Sequence, residues 1–232
     1  FSFALEVIAF SDEEGTRFPT TLSSSAACAG VFQTASLNAT DAQGVTLREA
    51  ILAYGNATDD IPKAAYATGG VIAYVEAHIE QGPVLEAEGE PLGVVTAIAG
   101  ASRLSVTVTG EAGHAGTVPM RMRRDALTGA AEMALAVERI AKEDCHGMVA
   151  TVGRMHIDPG SINVIPARVT FTVDLRSGSD MSRREALERF EREAHRIADQ
   201  RHLGVVISAF HEVTTVPCYR DLQLRLRNAV AD

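Results

Sequence analysis

The sequence predicts an α/β protein in which a β-α-β-β-α-β module is inserted into a larger α/β domain. Three observations predict it. Over residues 1–99, apolar runs end in acidic clusters, as strands do at a catalytic sheet edge. Over residues 100–211, period-2 and helical patterns alternate in the order strand, helix, strand, strand, helix, strand. Over residues 212–232, apolar residues return at helical spacing, so the larger domain resumes there.

The first run, Phe3 to Phe10, reads as a strand that ends at Ser11 and gives way to Asp12-Glu13-Glu14-Gly15. Adjacent carboxylates at a strand end project in different directions, and two like charges this close call for a nearby cation. The plain alternative is an acidic turn before a helix, which Pro19 with Thr20 and Thr21 can start. Residues 20–31 then read as a short helix rich in Ala and Ser. Thr46 suits an N-cap for a helix over Leu47 to Tyr54, closed by Gly55, and Asn56 to Lys63 reads as a polar loop.

Val71 to Ile79 reads as a second strand, ending near His78 among Glu76, Glu80, Glu86 and Glu88. Gly82-Pro83 stops it, because proline has no backbone N–H to donate. A metal-type imidazole thus stands at a strand end; an acidic surface loop with an incidental histidine is the alternative. Pro83 to Glu88 starts another helical turn.

Within the insert, Leu104, Val106 and Val108 alternate with Ser105, Thr107 and Thr109, the mark of a half-buried strand. Arg123 to Lys142 carries Leu127, Ala130, Ala134, Val137 and Ile140 on one helical face. Met148 to Met155 is the second strand, and Val169, Phe171, Val173 and Leu175 alternate in the third. A helix with Leu187, Phe190, Ala194 and Ile197 and a strand over Leu203 to Phe210 complete it. This succession is the split ferredoxin-like unit, which covers one sheet face with helices and leaves the other open. Leu222 to Val230 reads as a helix.

Three features of the insert are more polar than packing requires. His114 is bracketed by Gly113 and Gly116, which lets backbone or substrate approach closely. Asn163 stands on the tight loop Pro159 to Pro166. Arg176 ends the third strand on the face opposite Phe171 and Val173, where a guanidinium fork suits a carboxylate. A turn histidine, an Asx-turn asparagine and a surface arginine are the plain alternatives.

Hydrophobic residues at 46% and charged residues at 22% are ordinary for a globular chain. A net charge of -9 without a basic stripe excludes a nucleic-acid footprint. No apolar run approaches the ~18 residues of a membrane span, and no signal peptide opens the chain. Cys28, Cys145 and Cys218 lie far apart without Cys-x-x-Cys spacing, which fits buried small hydrophobes in a reducing cytoplasm and gives a thiol redox protein no support. The chain starts in a strand and stops in a helix, so an internal piece of a longer enzyme is expected.

Phe10 to Phe18, His78 to Glu86, Gly113 to Met120, and Asn163 to Pro166 with Arg176 resemble the amidohydrolase/carbamoylase family. This is a branch of the di-metal aminoacylase and carboxypeptidase superfamily that includes allantoate amidohydrolases, N-carbamoyl-L-amino-acid hydrolases and β-ureidopropionases. The resemblance implies part of a di-metal peptidase-like catalytic domain over residues 1–99, a lid and dimerisation domain over 100–211, and a return to the catalytic domain over 212–232. It implies Glu13 as the general base, Glu14 and His78 as metal ligands, and Gln81 as a substrate contact. It further implies His114, Asn163 and Arg176 as lid residues that hold the oxyanion and the substrate carboxylate, with His114 serving the partner subunit of a homodimer. The family's early His, bridging Asp and late His are not among these residues. Two divalent ions (Zn or Mn) are therefore expected in the complete enzyme, and weak or no metal in this piece. The implied activity is hydrolysis of an amide C–N bond in a small ureido substrate. The run Gly113 to Pro119 looks more like the allantoate enzymes than the carbamoylases, with N-carbamoyl-L-amino-acid hydrolase or β-ureidopropionase activity as the alternative. A piece that only dimerises is the non-enzymatic alternative.

Overall fold

The computed structural model describes residues 2–144 and 147–231, so Cys145 lies outside the described residues. The chain divides into two compact units, Phe1–Glu80 and Gln81–Asp232.

In the first unit, helix α1 (Ser23–Cys28) and helix α2 (Leu47–Ala53) are joined by turns and the 3-10 segment Thr34–Asn38. The start of α2 follows from Thr46, whose hydroxyl accepts the Glu49 N–H at 3.1 Å while Glu49 Oε2 accepts the Thr46 N–H at 2.8 Å. The polar stretch expected as loop contains a 3-10 turn, Thr58–Ala64, with Pro62 tolerated inside it. The two strands expected at Phe3 to Phe10 and Val71 to Ile79 are corrected. Both stretches form no sheet ladder among the described residues, and Val7 and Ile72 are 90% and 82% exposed. An apolar run specifies an extended tendency, but a strand exists only through a neighbour's hydrogen bonds.

The second unit begins with helix α3 (Val84–Glu88), ended by Gly89 at φ 72°. Strand β1 (Ala97–Ile98) leads into β2 (Gly100–Thr109), the short β3 (Gly113–His114) and helix α4 (Ala126–Lys142). Then come β4 (Val149–Asp158), β5 (Val164–Ile165), β6 (Arg168–Ser177), helix α5 (Asp180–Arg201), β7 (Gly204–Val213), β8 (Val216–Pro217) and helix α6 (Arg220–Ala231). Asp125 caps α4 by accepting the Leu127 and Thr128 N–H groups, and Ser179 caps α5 by accepting that of Ser182. Leu203 N–H bonds back to the Ala198 carbonyl as His202 turns left-handed at φ 55°, which ends α5 and launches β7.

The four long strands form one antiparallel sheet in the order β4-β6-β2-β7. The alternation of β6 is kept in full, with Val169, Phe171, Val173 and Leu175 buried against α4 and α5 through Met133, Val137, Phe190 and Ile197. Each such side chain contributes about 1.5–3 kcal/mol by leaving water. Arg103, Thr172, Asp174 and Arg176 stand on the other face, where Arg103 lies opposite Asp174 in register.

The passages into and out of this sheet run side by side. Ala97 pairs with Pro217 and Ile98 with Val216, and the Thr215 hydroxyl accepts the Gly100 N–H at 3.1 Å. A Cβ at Gly100 would stand 2.8 Å from both Asp180 Oδ1 and Thr215 N, so only glycine fits this crossing. Cys28 and Cys218 are free and half-buried rather than buried. No helix among the described residues is long and apolar enough to cross a membrane.

Candidate active site

Glu13 and Glu14 occupy a turn, not the end of a paired strand. Asp12 enters the left-handed region at φ 50°, and Gly15 at φ 72° lets the chain double back. A Cβ at Gly15 would meet the Thr20 and Phe18 carbonyl oxygens at 2.9 and 3.0 Å. The Glu13 carbonyl accepts the Leu22 N–H at 2.8 Å, which fixes the turn to the start of α1.

His78 lies on the exposed extended stretch, with Nδ1 2.6 Å from the Ile79 carbonyl oxygen. A carbonyl can only accept, so Nδ1 carries a proton, and in the neutral ring the lone pair lies on Nε2. Nearby in sequence, the Tyr74 hydroxyl donates to Glu76 at 2.8 Å. Burial first, then this bond and the charges of Glu76 and Glu13, push the Tyr74 pKa up to about 12. The charge of the Glu13 turn is therefore felt on the stretch that carries His78.

His114 has the opposite tautomer. The Gly116 N–H donates to its Nδ1 at 3.1 Å, so the neutral ring bears its proton on Nε2. A Cβ at Gly116 would come within 3.2 Å of the ring, which explains the small residue there. His114 pairs with Val164 in the β3–β5 ladder, and the Ala115 N–H donates to the Asn163 carbonyl at 2.9 Å. The structure thus brings the His114 and Asn163 segments together. Arg123, which the sequence did not single out, holds this loop by donating to the Val118 and Ala115 carbonyls. Gln81 is left-handed at φ 54°, immediately before Gly82-Pro83.

Arg176 stands half-exposed on the open sheet face, as its position in the alternation predicts. Its fork is engaged by Asp174, with Nε to Oδ1 at 2.9 Å and Nη2 to Oδ2 at 3.0 Å. Arg103 Nε donates to the same carboxylate at 3.0 Å. The Arg176 guanidinium, and beside it that of Arg103, hold the Asp174 carboxyl below its ordinary range against the opposing effect of burial. Two guanidinium groups share one carboxylate, so this cluster keeps a net positive charge on the open face.

Residues 96–202 match the peptidase dimerisation domain of the M20 type. Over 97% of its length the chain is 43% identical to allantoate deiminase of Arabidopsis thaliana, and it spans 47% of that protein. It is 42% identical over 92% of its length to N-carbamoyl-L-amino acid amidohydrolase of Geobacillus stearothermophilus, spanning 52% of it. The chain belongs to the amidohydrolase/carbamoylase family. A hydantoinase/carbamoylase family amidase from Burkholderia ambifaria superposes with a TM-score of 0.86 at 37% identity, over 95% of this chain and 53% of that one. The chain therefore spans about half the length of the family members it matches.

Within this family frame, Glu14 and the lone pair of His78 Nε2 are suitable donors for a divalent ion. A protein-held ion needs about three or four ligands, however. Among the described residues no group of three or more His, Cys, Asp or Glu side chains is placed to hold one. The donor types fit a metal and their number does not.

Proposed function

We propose that the protein to which this chain belongs hydrolyses an amide C–N bond of a small ureido substrate, allantoate first and N-carbamoyl-L-amino acids or 3-ureidopropionate second. The pair of opposite histidine tautomers carries the reading. His78 presents a lone pair, as a ligand does, and His114 presents an N–H, as an oxyanion donor does. The likeness to allantoate deiminase over 97% of the chain supports it.

In this reading Glu13 takes the proton of the attacking water and returns it to the leaving nitrogen. His114 Nε2 donates to the developing oxyanion, while Asn163 and Gln81 orient the substrate. Arg176 holds the substrate carboxylate, exchanging part of its Asp174 contact for the bidentate one. Glu14 and His78 would be among the ligands of two divalent ions (Zn or Mn) in the complete enzyme, which would lower the pKa of the attacking water. Residues 1–99 and 212–232 are assigned to the catalytic domain, and 100–211 to a ferredoxin-like lid. The paired passages at Ala97–Pro217 and Ile98–Val216 support an insertion there. A cytoplasmic location is part of the same reading.

The substrate test compares kcat/KM of the full-length enzyme on allantoate, an N-carbamoyl-L-amino acid and 3-ureidopropionate. Allantoate should lead by ~10-fold or more, the scale on which one pocket contact discriminates. A lead for either other substrate would move the enzyme to that branch.

The match to a dimerisation domain supports a homodimer in which His114 reaches its partner's site across a two-fold axis. Inactive Glu13→Gln and His114→Ala subunits of the full-length enzyme, mixed and exchanged, should then regain one working site per heterodimer. Confirmed exchange without activity would place His114 in its own subunit's site or in none.

A further inference from the structure

The turn that presents Glu13 and Glu14 is built around charged side chains to which the reaction gives no part. The Asp12 carboxylate accepts the Arg17 N–H on Oδ1 at 2.8 Å and the Phe18 N–H on Oδ2 at 3.0 Å. The Asp12 carbonyl accepts the Gly15 N–H at 3.1 Å. Both the side chain and the backbone of Asp12 therefore close the loop on which the two glutamates stand. Phe18, 4% exposed, plugs the base of the loop, and the Arg17 guanidinium lies 4.9 Å from its ring centre.

A distant part of the chain then grips this loop. Arg17 Nε donates to Asp41 Oδ2 at 3.0 Å, and the Asp41 side chain is only 3% exposed. Its other oxygen accepts the Gln43 and Val45 N–H groups at 3.0 and 2.9 Å. Asp41 is thus fixed on its own loop before it receives Arg17. Burial alone would raise its carboxyl pKa, but the Val45 N–H, Arg17 and the Gln43 N–H together hold it below the ordinary range. Asp41 is charged in the neutral range and pulls on one side of the catalytic turn.

A bare turn does not need this. Burying a carboxylate is costly, and an Asx turn with a glycine closes a loop without it. What the pair adds is a second anchor, set across 24 residues of sequence, against which the direction of the turn is defined. We propose that Asp12 and the Arg17–Asp41 pair are positioning residues that fix the aim of Glu13 and Glu14 (resting on Glu13 as general base).

The test uses the full-length enzyme with Arg17→Met, Arg17→Lys, Asp41→Asn and Glu13→Gln. Asp41→Asn keeps an oxygen for the Gln43 and Val45 N–H groups, so it folds even if Arg17→Met does not. Misplacement of a reacting group by ~1 Å costs on the order of 100-fold. Arg17→Met and Asp41→Asn should therefore each lower kcat by about 10–100-fold with KM within about 2-fold. The double variant should be little worse than either single one, because both remove one contact. Arg17→Lys should recover part of the loss. By hydrogen exchange, the Arg17, Phe18 and Leu22 amides should open faster while the α4 and α5 amides stay protected. Wild-type kcat in both Arg17→Met and Asp41→Asn, with Glu13→Gln inactive, would overturn the positioning role alone. Unchanged exchange of the loop amides would do the same. Wild-type turnover in Glu13→Gln would instead overturn the general-base reading on which the positioning role rests.

Discussion

Glu13→Gln in the full-length enzyme is expected to lower kcat by about 100- to 10,000-fold while KM stays within about 2-fold. A positioned general base contributes that range, and glutamine keeps the shape while losing the basic oxygen. Glu13 is the base in the proposed reading, and its backbone is anchored. Its own carbonyl is tied to the Leu22 N–H, and its neighbour Asp12 is wrapped by the Arg17 and Phe18 N–H groups, so the backbone at Glu13 is held on both sides. The same variant should still bind substrate in equilibrium dialysis with near wild-type affinity. A change concentrated in KM would assign Glu13 to substrate binding and leave the base to another group. The neighbouring carboxylate separates the roles further, because Glu14 is proposed as a ligand. Glu14→Gln should reduce metal content, whereas Glu13→Gln should not.

The helices and long strands were legible because their signals are local. Thr46 is a cap written one residue before its helix, and the structure starts α2 there, whereas α4 starts at Ala126, three residues later than the expected Arg123, because Asp125 caps it. The alternation Val169, Phe171, Val173, Leu175 specified both a strand and its buried face, and Arg176 fell on the open face for the same reason. Phe3 to Phe10 and Val71 to Ile79 were over-read, since apolar content alone does not supply a ladder. The histidine tautomers could not be read at all, because each depends on one backbone group, Ile79 O or Gly116 N. The Arg17–Asp41 contact was out of reach for a different reason. It joins residues 24 positions apart through a turn whose path is not periodic. Asp12 and Gly15 were its only local trace: an Asx-type residue and a glycine flanking two carboxylates.

The second large effect is expected at Arg183, a charged residue 1% exposed beneath the crossing of the two chain passages. Its Nη2 donates to Asp180 Oδ1 at 3.0 Å, and its Nη1 donates to the Ser102 hydroxyl and to Glu212 Oε1, the latter at 3.3 Å. The same Asp180 oxygen accepts the Thr215 N–H at 3.0 Å and its hydroxyl at 3.1 Å, while that hydroxyl accepts the Gly100 N–H. One guanidinium therefore joins the first residues of β2, the start of α5 and the exit from β7. Arg183→Met keeps much of the buried volume but leaves Ser102 without its donor and Asp180 without its cation. The carboxylate partners Asp180 and Glu212 are 29% and 59% exposed, so the charges left behind stay partly in water. The main loss is the buried Ser102 hydroxyl left without its donor, about 1–3 kcal/mol. Nε reduces the net worth of the arrangement, because it is buried without a partner among the described residues. The loss should be read as a lower urea midpoint at unchanged slope, which separates stability from a change in the unfolded state. The Thr215 N–H and hydroxyl, with the Arg183 guanidinium, hold the Asp180 carboxyl below its ordinary range. The folded-state pKa is depressed, so the contribution of Asp180 is present at neutral pH and fades as pH falls below the usual carboxylate range. The gap between wild type and Arg183→Met should narrow over that same acid range. A loss under about 1 kcal/mol at neutral pH would show that desolvation of Arg183 cancels what its partners return, and that β1–β8 pairing with the Asp180–Thr215–Gly100 bonds holds the crossing without it.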